Sequence, residues 1–428
     1  MPAKAAAGAD VINIDPPDKK TSVPTPSSSL YNIMKRILFT AAGIFAFIAS
    51  YAQATPADSS NYKSRKLKIE EINLVSSYYK QDGNNAAVTG GIGSQKLTDI
   101  ANVFDIKLTK YDKKFRKHTF DAELGIDHYT SASSDKVDLS ANSSASHADT
   151  RFYPSLTWSR ENEQKGTTIG AGLSSSTEFD YQSFGGNISF AQKTRNRMGE
   201  FSAKAQVYLD NVKLVTPVEL RNPPGNDHYG SASRNTYVGS LSYSQIVNKQ
   251  FQLMFLADVV QQQGFLSLPF YRVYFKDASV HQETLPDSRT KIPLAIRANY
   301  FAGDKIILRA YYRFYTDNWG ITAHTADLEI PVKVTPFISV SPFYRYYTQT
   351  AAKYFAPYQQ HTNAEQFYTS NYDLSAFNSS FFGAGIRFAP PKGVLGWQHL
   401  SVLELRFGHY AKNIDLNANI ISLNLKFK

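Results

Sequence analysis

The sequence contains no cysteine, only four methionines and only three tryptophans. The absence of cysteine excludes a disulfide scaffold, a lipoprotein anchor attached through cysteine, and any metal site with thiolate ligands. Long apolar runs are also missing, because no stretch after Ala54 reaches the roughly 18 apolar residues that a membrane-spanning helix needs. After Ala54, the chain therefore has neither covalent cross-links nor helical membrane spans.

The common sequence signatures of catalysis are absent too. The sequence has no GxSxG nucleophile elbow and no HExxH zinc helix, and its nine histidines are scattered. Asp127 and His128 resemble an acid–histidine pair, but neighbours on a strand point to opposite faces. We therefore predict that the protein is not an enzyme, with no catalytic residues, no metal ligands and no cofactor.

The segment MKRILFTAAGIFAFIASYAQA, residues 34–54, is typical of a secretory signal peptide. Two basic residues precede a short apolar run, and small residues at spacing two allow cleavage near Ala52 or Ala54. An uncleaved anchor or a buried helix is the alternative. Residues 1–33 are rich in Pro, Ser and Ala without any periodicity, so we expect them to be disordered and to precede the true translation start.

Aromatic residues are abundant in the exported part, with 27 tyrosines and 28 phenylalanines in the whole chain, while mean hydropathy is only −0.35. Strands of a transmembrane β-barrel hide their apolar residues at every second position, so their average hydropathy stays low. The composition therefore favours an outer-membrane barrel, in which most aromatic residues form girdles at the two membrane boundaries. A secreted β-sandwich, or aromatic platforms for sugars, are the alternatives.

Strict alternation of apolar and polar residues supports the barrel. In ISVSPFYRYY, residues 338–347, Val340 and Tyr344 share one face of a strand while Ser341 and Arg345 share the other. Runs of about ten residues suit a tilted membrane strand, whereas soluble strands are usually shorter. The same alternation occurs in FDAELGID (120–127), EFSAKAQVYLD (200–210) and KIILRAYYRFYTD (305–317).

Sixteen such segments predict an all-β fold, namely a transmembrane antiparallel up-and-down β-barrel over residues 70–428, preceded by a flexible segment, 55–69. An even strand number places both chain ends on one side of the membrane; 14 to 18 strands remain open. The predicted strands lie near 70–80, 97–111, 117–129, 149–160, 166–178, 181–193, 200–213, 234–246, 250–263, 290–301, 304–317, 320–333, 337–348, 379–389, 398–410 and 414–427.

Short turns alternate with longer polar connections, as in barrels with short periplasmic turns and longer outer loops. Three outer connections, near Phe179, Asn318 and Lys412, are unusually short. The alternation also changes phase near Ile420 and Ile421. The predicted long loops are 81–96, 130–148, 214–233, 264–289 and 349–378.

The last strand ends in ISLNLKFK, with an aromatic residue, Phe427, before the terminal lysine. A final strand ending in an aromatic residue is the signal that the outer-membrane insertion machinery recognises, so this machinery is a predicted partner together with outer-membrane lipid.

Four aromatic blocks of the sequence are NLVSSYYKQDGNNAAVTGG (73–91), RTKIPLAIRANYF (289–301), DNWGIT (317–322) and SPFYRYYTQTAAKYF (341–355). They resemble the recurring blocks of domain of unknown function family 3570. The resemblance extends over most of the chain from about residue 70. It implies an outer-membrane protein of a Gram-negative bacterium without an assigned activity, and so it transfers no catalytic residues.

The polar face of each strand should line the barrel interior. Acidic residues cluster on the second and third strands and arginines on the tenth strand onward, so an acidic wall should face a largely basic one. Alternatively, these charges pair with their neighbours and fill the lumen. The predicted lumen-lining residues are Asp105, Asp121, Glu123, Asp127, Lys204, Arg297, Arg309, Arg313, Asp327, Glu329, Arg345, Arg387, Glu404 and Arg406.

The net charge of the chain is +10. An exported barrel seldom meets nucleic acid, so we predict no nucleic-acid partner and expect the charge to favour anionic solutes or lipid headgroups. The sequence predicts a porin-like channel or transporter for small polar or anionic solutes. The alternative is a non-conducting barrel that acts as a structural or assembly partner, with its lumen blocked by 264–289 or 349–378.

Overall fold

The structure, a computed structural model, describes residues 65–130, 148–221 and 229–428. The predicted segment 1–33, the signal peptide and most of the flexible segment 55–69 lie outside the described residues, as does most of the loop 130–148. Within the described ranges, no helix combines the length and the apolar character of a membrane span.

Nineteen strands follow one another along the described chain, and all helical turns among them are short 3-10 turns. The strands are β1 (Lys68–Gly83), β2 (Leu97–Tyr111), β3 (Lys117–Thr130), β4 (Ala148–Asn162), β5 (Thr167–Thr177), β6 (Tyr181–Lys193), β7 (Gly199–Lys213), β8 (Ser231–Ile246), β9 (Phe251–Gly264), β10 (Arg272–Tyr274), β11 (Val280–Gln282), β12 (Ser288–Ala302), β13 (Ile306–Asp317), β14 (Thr322–Glu329), β15 (Val332–Lys333), β16 (Ile338–Gln349), β17 (Phe377–Phe388), β18 (Leu400–Lys412) and β19 (Leu416–Phe427).

Sixteen membrane strands result from this set, which confirms the predicted number. β10 and β11 form a separate hairpin. β14 and β15 are one strand interrupted at Pro331, because both lie between β13 and β16 and proline cannot donate a ladder hydrogen bond. The observed strand ends differ from the predicted ones by three residues or fewer.

The sheet closes on itself through β1 and β19, which pair antiparallel from Ile72 opposite Phe427 to Gly83 opposite Leu416. All other neighbours in the ring are antiparallel and consecutive, so the described strands form a closed up-and-down barrel. Closure satisfies the backbone N–H and C=O groups of every strand, which is the condition for crossing hydrocarbon with strands.

One face of the barrel wall is apolar and exposed. Leu173, Phe184 and Ile188 expose 66–71% of their surface on neighbouring strands. A whole face of large apolar side chains on a sheet is expected to be this exposed where lipid rather than water surrounds it. The alternate positions carry the polar side chains and therefore face the interior, as alternation predicts.

The four long described loops meet over one end of the barrel. We call them together the cap: residues 84–96, 214–221 with 229–230, 265–287 and 350–376. The connections 178–180, 318–321 and 413–415 at the same end are short, as predicted.

The cap spans the mouth of the barrel. Loop 84–96 follows β1 and loop 265–287 follows β9, and these strands stand eight places apart in a ring of sixteen. Yet Val88 from the first loop packs with Phe270 from the second and with Val215, forming a buried apolar cluster. Loops that start on opposite walls can touch only across the opening.

Arg272 joins three of these loops. It is 2% exposed, its Nε donates to Glu219 Oε1 at 2.5 Å, and its Nη2 donates to Oε2 at 2.9 Å. Its Nη1 donates to the carbonyl of Val88 at 2.8 Å. A bidentate pair of this kind, formed by a buried arginine and a partly exposed glutamate, has high geometric specificity.

Glu283 joins loop 265–287 to loop 350–376. Its buried carboxylate accepts hydrogen bonds from Thr369 Oγ1 at 2.5 Å and from the backbone N–H of Leu268 at 2.6 Å. Burial raises the pKa of Glu283 to about 7, although Arg234 on the wall opposes the shift. The cap therefore contains a carboxyl group that changes its protonation near neutral pH.

The change of phase in the last strand now has a physical reason. Leu416, Ala418 and Ile420 occupy inward positions at the cap end of β19, and the first two are buried. Beneath the cap, an inward side chain meets protein instead of water, so apolar residues replace the polar ones expected there.

We predict that Arg272→Met loosens the cap and leaves the barrel intact. The substitution removes the bidentate pair with Glu219, which is 39% exposed, and leaves the carbonyl of Val88 without this donor. Losing hydrogen bonds of a charged group should cost about 1.5–3 kcal/mol. Hydrogen exchange of the detergent-solubilised protein should become faster in residues 84–96 and 265–287, with unchanged protection in the barrel strands. Lys276→Met, on the exposed turn of the same hairpin, is the matched control. Unchanged exchange in Arg272→Met would contradict the role of this residue.

We also predict that the cap becomes less stable as pH rises. A carboxyl group whose pKa is raised from 4.5 to about 7 favours the closed cap most below pH 4.5. This contribution, roughly 3 kcal/mol, is lost as pH rises through 7. Hydrogen exchange in residues 265–287, corrected for intrinsic rates, should show more opening at pH 8 than at pH 5. In Glu283→Gln the difference should disappear; its persistence would assign the effect to another group.

Candidate functional site: the lumen and its cap

The fourteen residues predicted to line the lumen all lie on barrel strands, and on each strand they share the face opposite the exposed apolar residues. On β13, for example, Ile306 and Tyr312 are exposed outward, while Arg309 and Arg313 alternate with them. In a closed barrel that second face encloses the interior.

Ion pairs connect neighbouring strands on the basic side of the interior. Arg345 Nε donates to Asp327 Oδ2 at 2.8 Å, and these residues are direct cross-strand partners. Arg309 pairs with Glu329 at 3.3 Å in the same way. The arginine side chains are about half exposed, at 51% and 49%, whereas the two carboxylates are 19% and 17% exposed. The acids therefore lie against the wall and the guanidinium groups extend into the lumen.

Arg406 extends this network to the next strands. Its Nη1 lies 3.0 Å from Glu329 and 3.3 Å from Glu404, and its guanidinium lies 5.1 Å from the ring centre of Phe343. The predicted pairing of charges inside the lumen thus occurs in this region.

Three other lumen arginines have no such partner. Among the described residues, no carboxylate oxygen lies within 4.0 Å of Arg297, Arg313 or Arg387. Arg297 instead stacks near Tyr311, 5.7 Å from its ring centre. Positive charge in this part of the lumen therefore exceeds what the carboxylates neutralise.

The acidic side lies on β2 and β3. Asp105 stands opposite Glu123 in the ladder and accepts a hydrogen bond from Asn73. Lys107 lies 3.9 Å from Asp121. Few cationic side chains therefore lie close to these carboxylates.

Two further residues complete the predicted set. Asp127 accepts a hydrogen bond from Tyr153 at 2.8 Å, while its neighbour His128 contacts Thr150 on the other face, as strand geometry requires. Lys204 lies on β7, opposite Ser240 of β8. It stands away from both charged walls.

The acidic and basic strands face each other. In the ring of sixteen, β2 lies eight places from β12, and β3 lies eight places from β13. A solute in the lumen therefore lies between carboxylates on one side and guanidinium groups on the other, in a field perpendicular to the barrel axis.

Three of the sequence blocks meet where the cap joins the wall. Arg289 pairs with the buried Asp317 at 2.5 Å, and its guanidinium stacks 4.3 Å from the ring centre of Trp319. Trp319 donates through its indole nitrogen to Ser288 O and accepts from the backbone N–H of Lys353. This joint fixes the start of loop 350–376 to the rim.

The fourth block reaches the cap directly. Gly91 lies so close to loop 350–376 that a Cβ there would stand 2.6 Å from the carbonyl oxygen of Ser370. Its φ of +85° is also a conformation that other residues rarely adopt. Each of the four blocks therefore contributes residues to the cap or to its joint with the wall, although large parts of them lie in the strands β1, β12 and β16.

The sequence did not single out the buried polar groups of the cap. His361 is fully buried and lies between Glu365, at 2.5 Å, and the carbonyl of Thr369, at 3.0 Å. Nothing in the local pattern marks such a residue, because its burial depends on a loop from another part of the chain. Glu283 and Arg272 were missed for the same reason.

A group of three carboxylates, from Asp149, Glu178 and Asp180, lies at the rim with oxygens within 4.8 Å of one another. Asp149 accepts hydrogen bonds from the backbone N–H groups of Thr150 and Phe179. These contacts account for the arrangement as a structural feature of the rim.

The comparison with solved structures found matches at low sequence identity and with TM-scores below 0.5. OccK9 (OpdG) of Pseudomonas aeruginosa is 11% identical with a TM-score of 0.40, over 85% of this chain and 99% of that one. OccD3 (OpdP) of the same organism is 8% identical with a TM-score of 0.42, over 88% and 95%. A mutant of its ferric enterobactin receptor PfeA is 10% identical with a TM-score of 0.44, over 81% and 54%.

No curated protein matches the chain. A family model described as "Protein of unknown function (DUF3570)" matches residues 49–413, which include all the cap loops and almost the whole barrel. The family suggested by the four sequence blocks is thereby confirmed, and the chain belongs to the DUF3570 family.

Proposed function

We propose that the protein is a channel of the outer membrane for small polar or anionic solutes. The observation that carries this proposal is the set of inward arginines without carboxylate partners, Arg297, Arg313 and Arg387. Cations without partners in a confined passage with low-dielectric walls raise the concentration of anions beside them. A barrel with a purely structural role needs no such excess.

The exposed apolar face and the closed sheet support a location in the outer membrane. The signal peptide would direct export, with cleavage near Ala52 or Ala54, and the final strand would be read by the insertion machinery. Outer-membrane lipid would contact side chains such as Leu173 and Ile188.

The cap favours passage of small solutes over large ones. Contacts between loops from opposite walls, such as Val88 with Phe270, cross the opening of the barrel and narrow it. The same contacts support the alternative function, a non-conducting barrel that acts as a structural or assembly partner. Electrical recording distinguishes the two, since a non-conducting barrel shows no open steps even when it is well folded.

We predict stable open steps in planar bilayers and a preference for chloride over potassium in a KCl gradient. Replacing Arg297, Arg313 and Arg387 by glutamine should shift the reversal potential towards cation preference, because three uncompensated lumen charges are removed. The measurement is the permeability ratio from the reversal potential at low and high salt. Screening should reduce the difference at high salt.

The matched control removes three positive charges from the short turns outside the lumen, with Lys113, Lys165 and Lys249 changed to glutamine. These side chains are exposed, so the permeability ratio should remain that of the unmodified protein. If correctly folded, SDS-resistant barrels show no conductance steps, the proposed channel function is contradicted. Equal shifts in both triple variants would contradict the role assigned to the lumen arginines.

A further inference from the structure

A small cavity of about 160 Å³ lies in the lumen wall where β14, β16, β17, β18 and β19 run side by side. Its origin is visible in the register, because Phe343 stands opposite Gly383, and Gly383 stands opposite Gly408. Two adjacent inward positions thus have no side chain. The ring of Phe381 covers Gly408 so closely that a Cβ there would lie 2.4 Å from it, and Phe343 covers Gly383 similarly. The rings lie along the wall and leave space above them.

Both signs of charge border this space. Arg345 and Arg406 contribute guanidinium groups whose side chains are 51% and 36% exposed, so each has donors left over from its ion pair. Asp327 contributes a carboxylate of which only Oδ2 is bonded to Arg345. Among the described residues, its Oδ1 accepts no hydrogen bond. An unused acceptor therefore lies beside unused donors.

The spacing of these charges is short. Asp327 and Arg345 are direct cross-strand partners in contact with each other. A ligand that used both would need its own negative and positive groups on neighbouring atoms. Glu329 and Ser422 also border the cavity, and both oxygens of Glu329 are already paired, with Arg309 and with Arg406. Phe343, Phe381 and Ile420 supply apolar lining.

From this arrangement we infer that the cavity binds a small apolar α-amino acid in its zwitterionic form. The α-carboxylate would accept from Arg345 and Arg406, the α-ammonium would donate to Asp327 Oδ1, and the side chain would lie on the two phenylalanine rings. A plain anion would leave the acceptor of Asp327 unused and suffer repulsion from it, and a plain cation would be repelled by the arginines. The volume suits a molecule the size of valine or leucine.

The inference rests on the proposed function in one respect, since a solute site inside the lumen implies that solutes enter it. Binding itself can be measured without conduction. Equilibrium dialysis of labelled L-leucine against the detergent-solubilised, full-length protein should show saturable binding at one site per chain.

Competition by close analogues tests the chemistry. The analogue 4-methylpentanoate lacks the ammonium, 3-methylbutylamine lacks the carboxylate, and 6-aminohexanoate is an isomer of leucine with its charges far apart. Each should compete at least about tenfold more weakly than unlabelled leucine, because each loses a charge-assisted hydrogen bond or the ability to make both together. Competition by 4-methylpentanoate at the strength of leucine would overturn the zwitterion assignment.

Variants locate the site. Arg345→Gln and Asp327→Asn should each weaken leucine binding on the order of tenfold, since each removes one charged partner. Lys204→Gln is the matched control, because Lys204 faces the lumen from β7 and does not border the cavity. If a variant fails to form an SDS-resistant barrel, the competition series on the unmodified protein still tests whether the cavity recognises a zwitterion.

The possible results separate the two proposals. If the barrel binds leucine but shows no conductance in bilayers, the result supports the amino-acid site and contradicts the channel function. A conducting barrel without saturable leucine binding, or with equal binding in Arg345→Gln, would overturn the site and leave the channel standing.

Discussion

Closure of the sheet between β1 and β19 is the constraint on which the rest of the molecule depends. In hydrocarbon an unpaired backbone N–H or C=O costs several kcal/mol, so a strand can span a membrane only when both of its edges are paired. The pairing of Ile72 with Phe427, near the two ends of the described chain, supplies the last ladder. Once the ring is closed, the alternation of side chains separates a lipid face from an interior, and every property of the lumen follows from that separation.

Within the interior, charge is arranged by register. Direct cross-strand positions bring Asp327 to Arg345 and Glu329 to Arg309, so these groups neutralise one another locally. Two of the arginines without carboxylate partners, Arg297 and Arg313, stand across from the acids of β2 and β3, whereas Arg387 lies on β17, four places from β2 in the ring. The lumen therefore combines ion pairs, which make the wall rigid, with arginines that have no carboxylate partner and whose positive charge acts on any solute that enters. Gly383 and Gly408 add a recess to this wall because their positions lack side chains.

The strands could be predicted from the sequence because their signal is local. A run such as 305–317 alternates over its whole length, and lipid on one side and water on the other act on each residue separately. The ion pair between Arg289 and Asp317 at the rim is harder to predict, because its two residues lie on neighbouring strands. The cap could not be predicted, since the burial of Val88 depends on Phe270, which arrives from the opposite wall. Leu416 could not be explained from the sequence for the same reason, because an apolar side chain is expected at this inward position only when the cap covers it.

The shared core of the cap has a consequence for how this end of the barrel can be recognised. In many barrels the outer loops are separate and flexible, so each can be recognised alone. Here loops 84–96, 265–287 and 350–376 are joined through Arg272, Glu283 and the ladder bridges between them. An antibody raised against the folded protein would meet one composite surface assembled from distant segments, and a linear peptide copied from any single loop would be a poor mimic of it.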